Sequence, residues 1–367
     1  MLLFIAQQHD NLFGGGVIAD RNLKICKEVI GSDNVITYLL PAKEKGGIST
    51  LKTFLTGYLL GLSPDHEGKI ITLIKSDRSI RYVFIDSSLL GRLTTIIKTQ
   101  FPDIQIIVFF HNVEFSFFKE FLKTTKRYVH SIGLPAIYKN EKSAVKYADT
   151  IITLNQRDSD MLQTQYGRSC DFIWPISIND NFDIKKLESA SLDKPLLLLF
   201  VGSRFYPNEH GIAWFIKEVM PHLKNVHLKI VGKGFEALRQ QWNTDQIEVI
   251  GTSADMTDYY YQADIVIAPI FTGSGMKTKT AEAMMYGKTI MASTESFEGY
   301  NLDKKQIGGE FNTAQEYIDG ISAYSYSGGY KFNEYARKCY LDSYSYQAAC
   351  KKFKDYFNLK MVINHST

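Results

Sequence analysis

The sequence lacks the features that mark secreted, zinc-stabilised or nucleic-acid-binding proteins. Its 367 residues include four cysteines, with no Cys-x-x-Cys pair and no dense framework, so we expect reduced thiols and no zinc site. The charge is nearly balanced, with 42 Lys and Arg residues against 39 Asp and Glu residues, which argues against a large basic face for duplex nucleic acid. These absences favour a cytoplasmic protein without nucleic acid as a partner.

The sequence also shows no pattern of a leader peptide or of a membrane-spanning run, so we expect neither. The chain begins with the apolar run 1–6, which has neither the charged lead nor the small-residue cleavage site of a signal peptide. The longest apolar stretch outside the strands, residues 51–62, is interrupted by Lys52, Thr53 and Gly57 and is too short to span a bilayer. We therefore expect membrane contact, where it occurs, to be peripheral and at the inner face.

Strand-like apolar runs alternate with longer amphipathic segments throughout the chain. The runs are 2–6, 35–39, 82–85, 104–109 and 150–154 in the first half and 196–201, 226–231, 247–250, 264–268 and 289–292 in the second. This alternation is typical of parallel α/β sheets, and the length suits two domains. Because residues 178–195 are rich in Asn, Asp, Lys and Ser, we place the link between the domains there, with the first domain at 1–178.

The segment 273–287 carries the strongest functional signal. It reads Gly-Ser-Gly-Met-Lys-Thr-Lys-Thr-Ala-Glu-Ala-Met-Met-Tyr-Gly and follows the apolar run 263–269, interpreted as a buried parallel strand. Its glycines let backbone N–H groups approach a ligand closely, and helix formers begin at about Thr278 and stop at Gly287. The loop therefore leads to a helix N-terminus, where an anion is stabilised.

Charged side chains of this segment fit a ligand with both phosphate and hydroxyl groups. Lys277 and Lys279 add positive charge at the helix start, and Glu282 shares a helix face with Lys279. One ligand would offer a phosphate to the lysine and hydroxyls to the glutamate, as a sugar nucleotide does. The alternative interpretation is an ordinary surface loop with an i,i+3 ion pair.

This segment resembles the donor-site signature of the family 4 retaining glycosyltransferases. The segment 200–208 is similar to the loop that opens the second domain of that family, and 83–91 and 110–114 are similar to bacterial members that build surface polysaccharides. The resemblance spans nearly the whole chain. It implies the α/β fold called GT-B, in which two Rossmann-like parallel-sheet domains face a cleft, with a donor domain at 179–345 and a last helix, 346–367, that crosses back to the first domain.

The resemblance also implies the residues of the site. The residues expected to bind the donor are Gly15, Gly16, Gly273, Ser274, Gly275, Met276, Lys277 and Glu282, and those expected to act in catalysis are His111, Arg204 and Lys279. Glu282 matches the family glutamate that holds the ribose. Ser274 stands where many members carry a first glutamate that touches the donor sugar, so the sugar contacts differ from the family pattern. No cofactor and no metal are expected.

In the first domain, two stretches are candidates for the site. Asn11-Leu12-Phe13-Gly14-Gly15-Gly16 follows the first strand and lacks Gly-x-Gly-x-x-Gly, which weighs against an NAD-binding domain; its alternative is a flexible turn. His111 follows the run 104–110 at a strand's carboxyl end, where open α/β sheets bind ligands. It matches a family histidine near the donor sugar, and a turn-capping histidine is the alternative. Glu114 caps the following helix or touches substrate.

Arg204 and an acidic pair complete the candidate residues. Arg204 follows the strand that ends at Val201, close by analogy to the diphosphate, where a guanidinium stabilises the leaving group; its alternative is a surface arginine. Asp158-Ser159-Asp160 matches the Asp-x-Asp metal motif of a different glycosyltransferase fold, but it opens a helical pattern, where carboxylates are explained by capping and the helix dipole.

The stretch 115–138 interleaves aromatic and basic residues. Phe117, Phe118, Phe121 and Leu122 alternate with Lys119, Lys123, Lys126 and Arg127. Such a composition is able to lie on an anionic membrane surface, although aromatic residues in this pattern are more often part of a core.

The sequence thus predicts a glycosyltransferase that moves a hexose-type sugar from a nucleoside-diphosphate sugar to a hydroxyl of a glycan, expected to be lipid-linked. Retention at the anomeric carbon is implied by the resemblance alone. The alternatives are a GT-B sugar-nucleotide epimerase, which needs no acceptor, and an inactive scaffold subunit of a polysaccharide assembly complex.

Overall fold

The chain folds into two compact units. The computed structural model describes residues 1–8, 14–42, 56–125, 128–187, 194–324 and 331–365. Unit 1 comprises Met1–Pro175 together with Ala349–Thr367, and unit 2 comprises Ile176–Ala348. The boundaries expected from the sequence, after residues 178 and 345, each lie three residues from the observed ones.

Unit 1 is built on a six-stranded parallel sheet with the strand order β2-β1-β3-β4-β5-β6. Its elements up to the end of the sheet are β1 (Leu2–Gln7), α1 (Gly14–Ile30), β2 (Val35–Leu40), α2 (Pro64–Ser76), β3 (Tyr82–Ile85), α3 (Gly91–Gln100), β4 (Gln105–Phe110), α4 (Glu114–Thr125), α5 (Leu134–Tyr147), β5 (Thr150–Thr153), α6 (Gln156–Tyr166) and β6 (Phe172–Ile173).

Unit 2 repeats this architecture with the strand order β12-β11-β10-β7-β8-β9. Its elements are β7 (Leu196–Val201), α7 (Tyr206–Glu218), β8 (Val226–Val231), α8 (Arg239–Trp242), β9 (Ile247–Gly251), α9 (Thr257–Gln262), β10 (Ile265–Ala268), α10 (Thr278–Met285), β11 (Thr289–Ala292), α11 (Lys304–Ile307), β12 (Gly308–Glu310), α12 (Ala314–Ser322) and α13 (Glu334–Cys339). The last helix is α14 (Tyr346–His365).

The strands are buried on both faces, as is usual for parallel sheets. Alternate residues of β1, such as Leu3 and Ile5, belong to one side of the unit 1 core. Phe4 stacks on Phe84 with ring centroids 5.0 Å apart. Aromatic contacts also fix α14 on unit 1, since Phe353 stacks on Trp174 at 4.7 Å. The apolar runs in the sequence therefore become a central sheet in each unit.

Each sheet contains one point where the strand order reverses. In unit 1, β1 pairs with β2 on one side and with β3 on the other. In unit 2, β7 pairs with β8 on one side and with β10 on the other. Open α/β sheets bind their ligands beside the carboxyl ends of the strands at such a reversal. The topology therefore points to the ends of β1 and β3 in unit 1 and of β7 and β10 in unit 2.

Ten strands expected from the sequence are confirmed to within one residue at each end. The sequence analysis missed the edge strands β6 and β12, which have only two and three residues. A run this short carries no periodic signal, and β12 consists of Gly308-Gly309-Glu310. None of the helices in the described part of the chain is long and apolar enough to cross a bilayer.

Candidate functional site

The loops after β7 and β10 meet at the strand reversal of unit 2. Gly202, the first residue after β7, has φ 155°, and a Cβ at this position would lie 2.8 Å from both Asn208 Nδ2 and Lys279 Nζ. A Cβ here would displace the ends of these two side chains, and the backbone conformation itself favours glycine. In the loop after β10, Gly273 (φ 135°) and Gly275 (φ 64°) also adopt conformations that favour glycine.

Lys279 is a buried basic residue beside the carboxyl ends of β7 and β10. It lies in the first turn of α10, is only 7% exposed, and donates from Nζ to Asn208 Oδ1 at 2.6 Å. Its Nζ also sits 4.5 Å from the ring centroid of Phe200. Burial lowers the pKa of the Lys279 ammonium to about 7; the charge of Glu282 acts in the opposite direction, and Lys277 adds to the lowering. An anion placed here would restore the pKa and bind to a charged lysine.

Glu282 lies one turn after Lys279 on α10. It is half-buried, and its Oε2 accepts a hydrogen bond from Tyr260 Oη at 2.8 Å. Burial raises the pKa of the Glu282 carboxyl, while the bond from Tyr260 and the charge of Lys279 work to lower it. Tyr260 is itself held by stacking on Tyr286, with centroids 4.7 Å apart. The carboxylate is thus fixed in one direction.

Glu282 opens into a depression of about 290 Å³ within unit 2. Asp255, Thr257, Tyr260 and Tyr286 contribute to its wall. Thr257 Oγ1 and Tyr286 Oη lie 3.0 Å apart, in hydrogen-bond contact. Hydroxyl and carboxylate groups beside aromatic rings suit a ligand with hydroxyls on an apolar frame.

Lys277 has a different environment from the one expected. The sequence interpretation had it add positive charge at the helix start and bind the donor, and in the structure its Nζ forms an ion pair with Glu295 Oε1 at 2.7 Å. The same Nζ donates to the carbonyls of Gly275 at 2.9 Å and Ser274 at 3.2 Å. Both charged side chains are largely buried, at 14% and 17% exposure. Lys277 therefore holds the loop in shape, because its charge is balanced inside the protein.

The remaining donor residues follow from the same loop and helix. Ser274 is half-buried and Met276 is buried at 8% exposure. The helix α10 begins at Thr278, as the sequence predicts, and the chain leaves it through Gly287 at φ 60°. A Cβ at Gly287 would collide with the ring of Phe332.

Arg204 lies at the same edge but on the surface. Its guanidinium forms a two-pronged ion pair with Glu209, with Nε–Oε2 at 2.8 Å and Nη2–Oε1 at 3.1 Å. Its backbone N–H donates to the carbonyl of Lys233 at 2.7 Å. Phe205 and Tyr206 are exposed and, with Arg204, line an open surface depression that is separate from the one at Glu282. Glu209 therefore occupies Nε and Nη2 of Arg204, and an anion at this edge would share the guanidinium with it.

In unit 1, the candidate residues lie at the ends of β1 and β4. Gly15 and Gly16 belong to the first turn of α1, which begins at Gly14. The sequence interpretation placed them in a loop before the helix, so the helix starts earlier than expected. Asn11, Leu12 and Phe13 of that stretch lie outside the described residues.

His111 follows β4 directly and is held by Asp86, which the sequence analysis did not single out. Its Nε2 lies 2.8 Å from the carbonyl oxygen of Asp86 and 3.1 Å from Oδ2. Burial by itself lowers the pKa of His111, the charge and hydrogen bonds of Asp86 raise it, and the net direction is upward. Asp86 ends a buried strand, and a polar residue at that position is the signal that would have identified it.

Glu141 is a second residue that the sequence analysis missed. The sequence left Glu114 as a helix cap or a substrate contact, yet the start of α4 is capped by Glu141, whose carboxylate accepts from the N–H groups of Glu114 at 2.8 Å and Phe115 at 3.1 Å. Tyr166 Oη donates to the same carboxylate at 2.8 Å. Burial raises the pKa of the fully buried Glu141 to about 7.

The acidic pair Asp158 and Asp160 is explained by helix capping. Asn155 is the N-cap of α6 and exchanges hydrogen bonds with Asp158, through Asp158 N to Asn155 Oδ1 at 2.8 Å and Asn155 Nδ2 to Asp158 Oδ2 at 3.0 Å. Asp160 bonds to Gln156. This geometry agrees with the capping interpretation of the motif.

Comparisons with known proteins bear on the whole arrangement. Residues 195–303 match the family model described as "Glycosyl transferases group 1". No curated protein sequence matches the chain. Among solved structures, sucrose-phosphate synthase from Thermosynechococcus elongatus is similar at 14% identity and a TM-score of 0.70, with 99% of each chain covered.

Two further solved structures have the same architecture. The lipopolysaccharide outer core galactosyltransferase WaaB shares 13% identity at a TM-score of 0.67, covering 98% of this chain and 99% of that one. Anabaena Alr3699/HepE in complex with UDP shares 11% identity at a TM-score of 0.67, covering 97% and 99%. These likenesses establish the GT-B fold. With a glycosyltransferase group 1 domain at residues 195–303 and this fold over the whole chain, the protein is a glycosyltransferase.

Proposed function

We propose that the protein transfers a hexose-type sugar from a nucleoside-diphosphate sugar to a hydroxyl of a glycan acceptor, with retention and without a metal. The proposal rests on the burial and position of Lys279. A nearly buried lysine in the first turn of α10, at the strand reversal of unit 2, is suited to an anion, because a bound anion would offset the cost of burying its charge. Anabaena Alr3699/HepE, of the same fold, was solved with UDP and with UDP-glucose.

The chemistry follows from the charges at this edge. Breaking the bond between sugar and diphosphate leaves negative charge on the diphosphate, which Lys279 and the N-terminus of α10 would stabilise. Glu282 would accept hydrogen bonds from the ribose hydroxyls. Arg204 would assist from the surface, where Glu209 now holds it. Transfer of this kind depends on positioning and electrostatics, and a metal is not required to neutralise the leaving group.

The acceptor in this proposal is a lipid-linked glycan of a surface polysaccharide. The resemblance of 83–91 and 110–114 to bacterial enzymes of that type supports it, and WaaB acts on the lipopolysaccharide outer core by its own description. Ser274 replaces the glutamate that touches the donor sugar in many relatives, so sugar recognition would use other groups.

Contact with the membrane would be electrostatic. The aromatic residues of α4 pack inward, since Phe115 and Phe118 pack on the cluster of Leu59, Ala136 and Ile137. Lys119 and Lys123 are exposed, whereas Lys126 and Arg127 lie outside the described residues. On α5, the three exposed lysines Lys139, Lys142 and Lys146 share one face of the helix. Such a stripe attracts anionic lipid headgroups.

Co-sedimentation with vesicles tests the membrane contact. The protein should pellet with vesicles that contain anionic lipid and stay in the supernatant with neutral vesicles. Replacing all three α5 lysines by glutamate should abolish pelleting. Equal pelleting with and without anionic lipid would remove this part of the proposal.

Product analysis separates transfer from the alternative activities. The purified protein is incubated with labelled sugar nucleotides, with and without a lipid-linked glycan acceptor. Transfer releases nucleoside diphosphate at a rate that depends on the acceptor. An altered sugar nucleotide formed without acceptor would identify an epimerase, and no turnover together with no nucleotide binding would identify a scaffold subunit.

A further inference from the structure

Unit 1 contains a buried carboxylate that the transfer reaction, as set out above, does not use. Asp86 stands directly after β3, at the strand reversal of unit 1, and is 4% exposed. Its Oδ1 accepts from Asn22 Nδ2 at 2.6 Å, and its Oδ2 lies 3.1 Å from Nε2 of His111. A buried carboxylate without a full counter-ion is costly unless it is hydrogen-bonded, so this arrangement calls for a reason.

The contacts of His111 fix both its ring orientation and its protonation pattern. Nε2 faces two acceptors, the carbonyl oxygen and the carboxylate of Asp86, so it must carry a proton. The ring of Phe109 packs edge-on against the imidazole at a centroid distance of 4.8 Å. Nδ1 is buried and has no hydrogen-bond partner among the residues that the structure describes. A second proton on the ring therefore goes to Nδ1.

The charges around the imidazole favour its protonated form. Burial opposes protonation, whereas Asp86 and, more weakly, Glu114 support it, and the net direction of the His111 pKa is upward. Arg21 is the cation of this region; its guanidinium lies over the rings of Phe109 and Trp174. Glu114 Oε1 accepts a hydrogen bond from Asn112 Nδ2 at 3.2 Å. Removing the charge of Asp86 would leave burial as the main influence on His111.

We propose that Asp86 is a positioning residue of the sugar transfer, which holds the His111 ring in one orientation and in its imidazolium form. This inference rests on the proposed function. A cation at the carboxyl end of β4 would stabilise a negatively charged sugar nucleotide, and Asp86 supplies the counter-charge that keeps it a cation. The role of Asp86 is exerted through His111.

A double-mutant cycle tests that dependence. We expect Asp86→Asn to lower kcat/KM about tenfold at pH 7.5, because losing the charge and hydrogen bond of Asp86 lowers the pKa of His111 and reduces its protonated fraction. His111→Gln should lower kcat/KM at least as much, and the double variant should be no worse than His111→Gln alone. Losses that multiply in the double variant would overturn the proposal, because Asp86 would then act independently of His111.

The pH profile and the histidine NMR signals give readouts that a structural role would not move. In Asp86→Asn, the deficit in kcat/KM should shrink as the pH is lowered, because a larger fraction of His111 is then protonated. The backbone carbonyl of Asp86 still accepts from Nε2 in this variant, so the ring should keep the Nε2 proton and lose the Nδ1 proton at a lower pH than in wild type. A deficit independent of pH, with unchanged His111 nitrogen shifts and pKa, would contradict the proposal.

Asp149→Asn is the matched control. Asp149 directly precedes β5, at the amino ends of the strands of the same sheet. Its carboxylate pairs with Lys98 Nζ at 2.8 Å. Its loss should lower the midpoint of thermal unfolding without changing the His111 signals, and its effect should add to that of His111→Gln. If the wild type transfers no sugar, the proposed function fails, while the NMR comparison still decides whether Asp86 controls His111.

Discussion

The strand reversals of the two units have the same topology and opposite chemistry. In unit 2 the buried ionisable group beside the reversal is a lysine, Lys279, whose pKa is lowered to about 7 by burial. In unit 1 it is a carboxylate, Asp86, which raises the pKa of His111. Both sheets deliver loops to the carboxyl ends of their strands, but the side chains decide whether the buried group there is itself a cation or a carboxylate beside one. The fold fixes the position of the site, and the residues fix its chemistry.

Replacing Lys279 should reduce kcat more than any of the other changes proposed below. Lys279→Ala deletes the cation expected to face the departing diphosphate, and loss of one such group lowers kcat by about 10²- to 10³-fold. Steady-state kinetics with the cognate donor measures it. Lys288→Met is the control for losing a buried lysine of unit 2, since Lys288 Nζ donates to the backbone carbonyls of Tyr261, Ala263 and Lys331. Turnover of Lys279→Ala within a few-fold of wild type would refute this role.

The pH dependence of nucleotide binding should follow Lys279. In the free protein its pKa is about 7, and a bound diphosphate raises it, so binding above pH 7 takes up a proton. Affinity should therefore fall as the pH rises from 7 to 9, by at most about tenfold per pH unit. Calorimetry in buffers of different ionisation enthalpy measures the proton uptake. In Lys279→Met the uptake assigned to this lysine should vanish.

The lowered pKa of Lys279 has opposite effects on binding and on stability. As the pH rises above 7, nucleotide affinity should fall, whereas the contribution of Lys279 to the free energy of unfolding should increase. The unfolded chain keeps the proton of Lys279 up to its ordinary value of 10.5, whereas the folded protein loses it near 7. The unfolded state thus binds more protons in this window, and the Lys279 contribution to the free energy of unfolding increases with pH between these values. Urea unfolding of wild type and Lys279→Met at pH 7 and pH 9 checks it.

A smaller effect is expected where a residue only orients the ligand-binding group. Tyr260→Phe removes the hydrogen bond to Glu282 but leaves the carboxylate, so nucleotide affinity should weaken about fivefold, the value of one hydrogen bond of about 1 kcal/mol. Tyr286→Phe, which removes a hydroxyl bonded to Thr257 in the same depression, is the comparison. A loss as large as that from deleting Glu282 would mean that Tyr260 itself contacts the ligand.

The smallest effect should come from a change at the partner of Lys277. This lysine lies two residues before Lys279 in the sequence but has a different environment. Glu295→Gln weakens the ion pair that holds Lys277 and should raise the KM for the donor by only about two- to fivefold, with kcat unchanged. A larger fall in kcat than in Lys279→Ala would show that the assignment of the two lysines is reversed.

The periodic and spacing signals of the chain predicted the fold and the loop and helix that carry the candidate site, but not the contacts of its side chains. Ten buried strands are recognisable in the sequence as apolar runs. The start of α10 at Thr278 follows from the glycines of the preceding loop and the helix formers after it. The difference between Lys277 and Lys279 is invisible in sequence, because Glu295 and Asn208 reach them from 18 and 71 residues away. Asp86 escaped for the same reason, since its partners Asn22 and His111 come from separate elements.

Calorimetric titration of wild type and Glu282→Ala with UDP, GDP, ADP and dTDP, without metal, tests the donor site of unit 2 most directly. We expect one nucleotide to bind wild type clearly and to bind Glu282→Ala at least about tenfold more weakly, since hydrogen bonds to a charged carboxylate contribute about 1.5–3 kcal/mol. That result would also name the base of the donor. Absence of binding by all four nucleotides would contradict the account and remove the basis for the site assigned to Lys279 and Glu282.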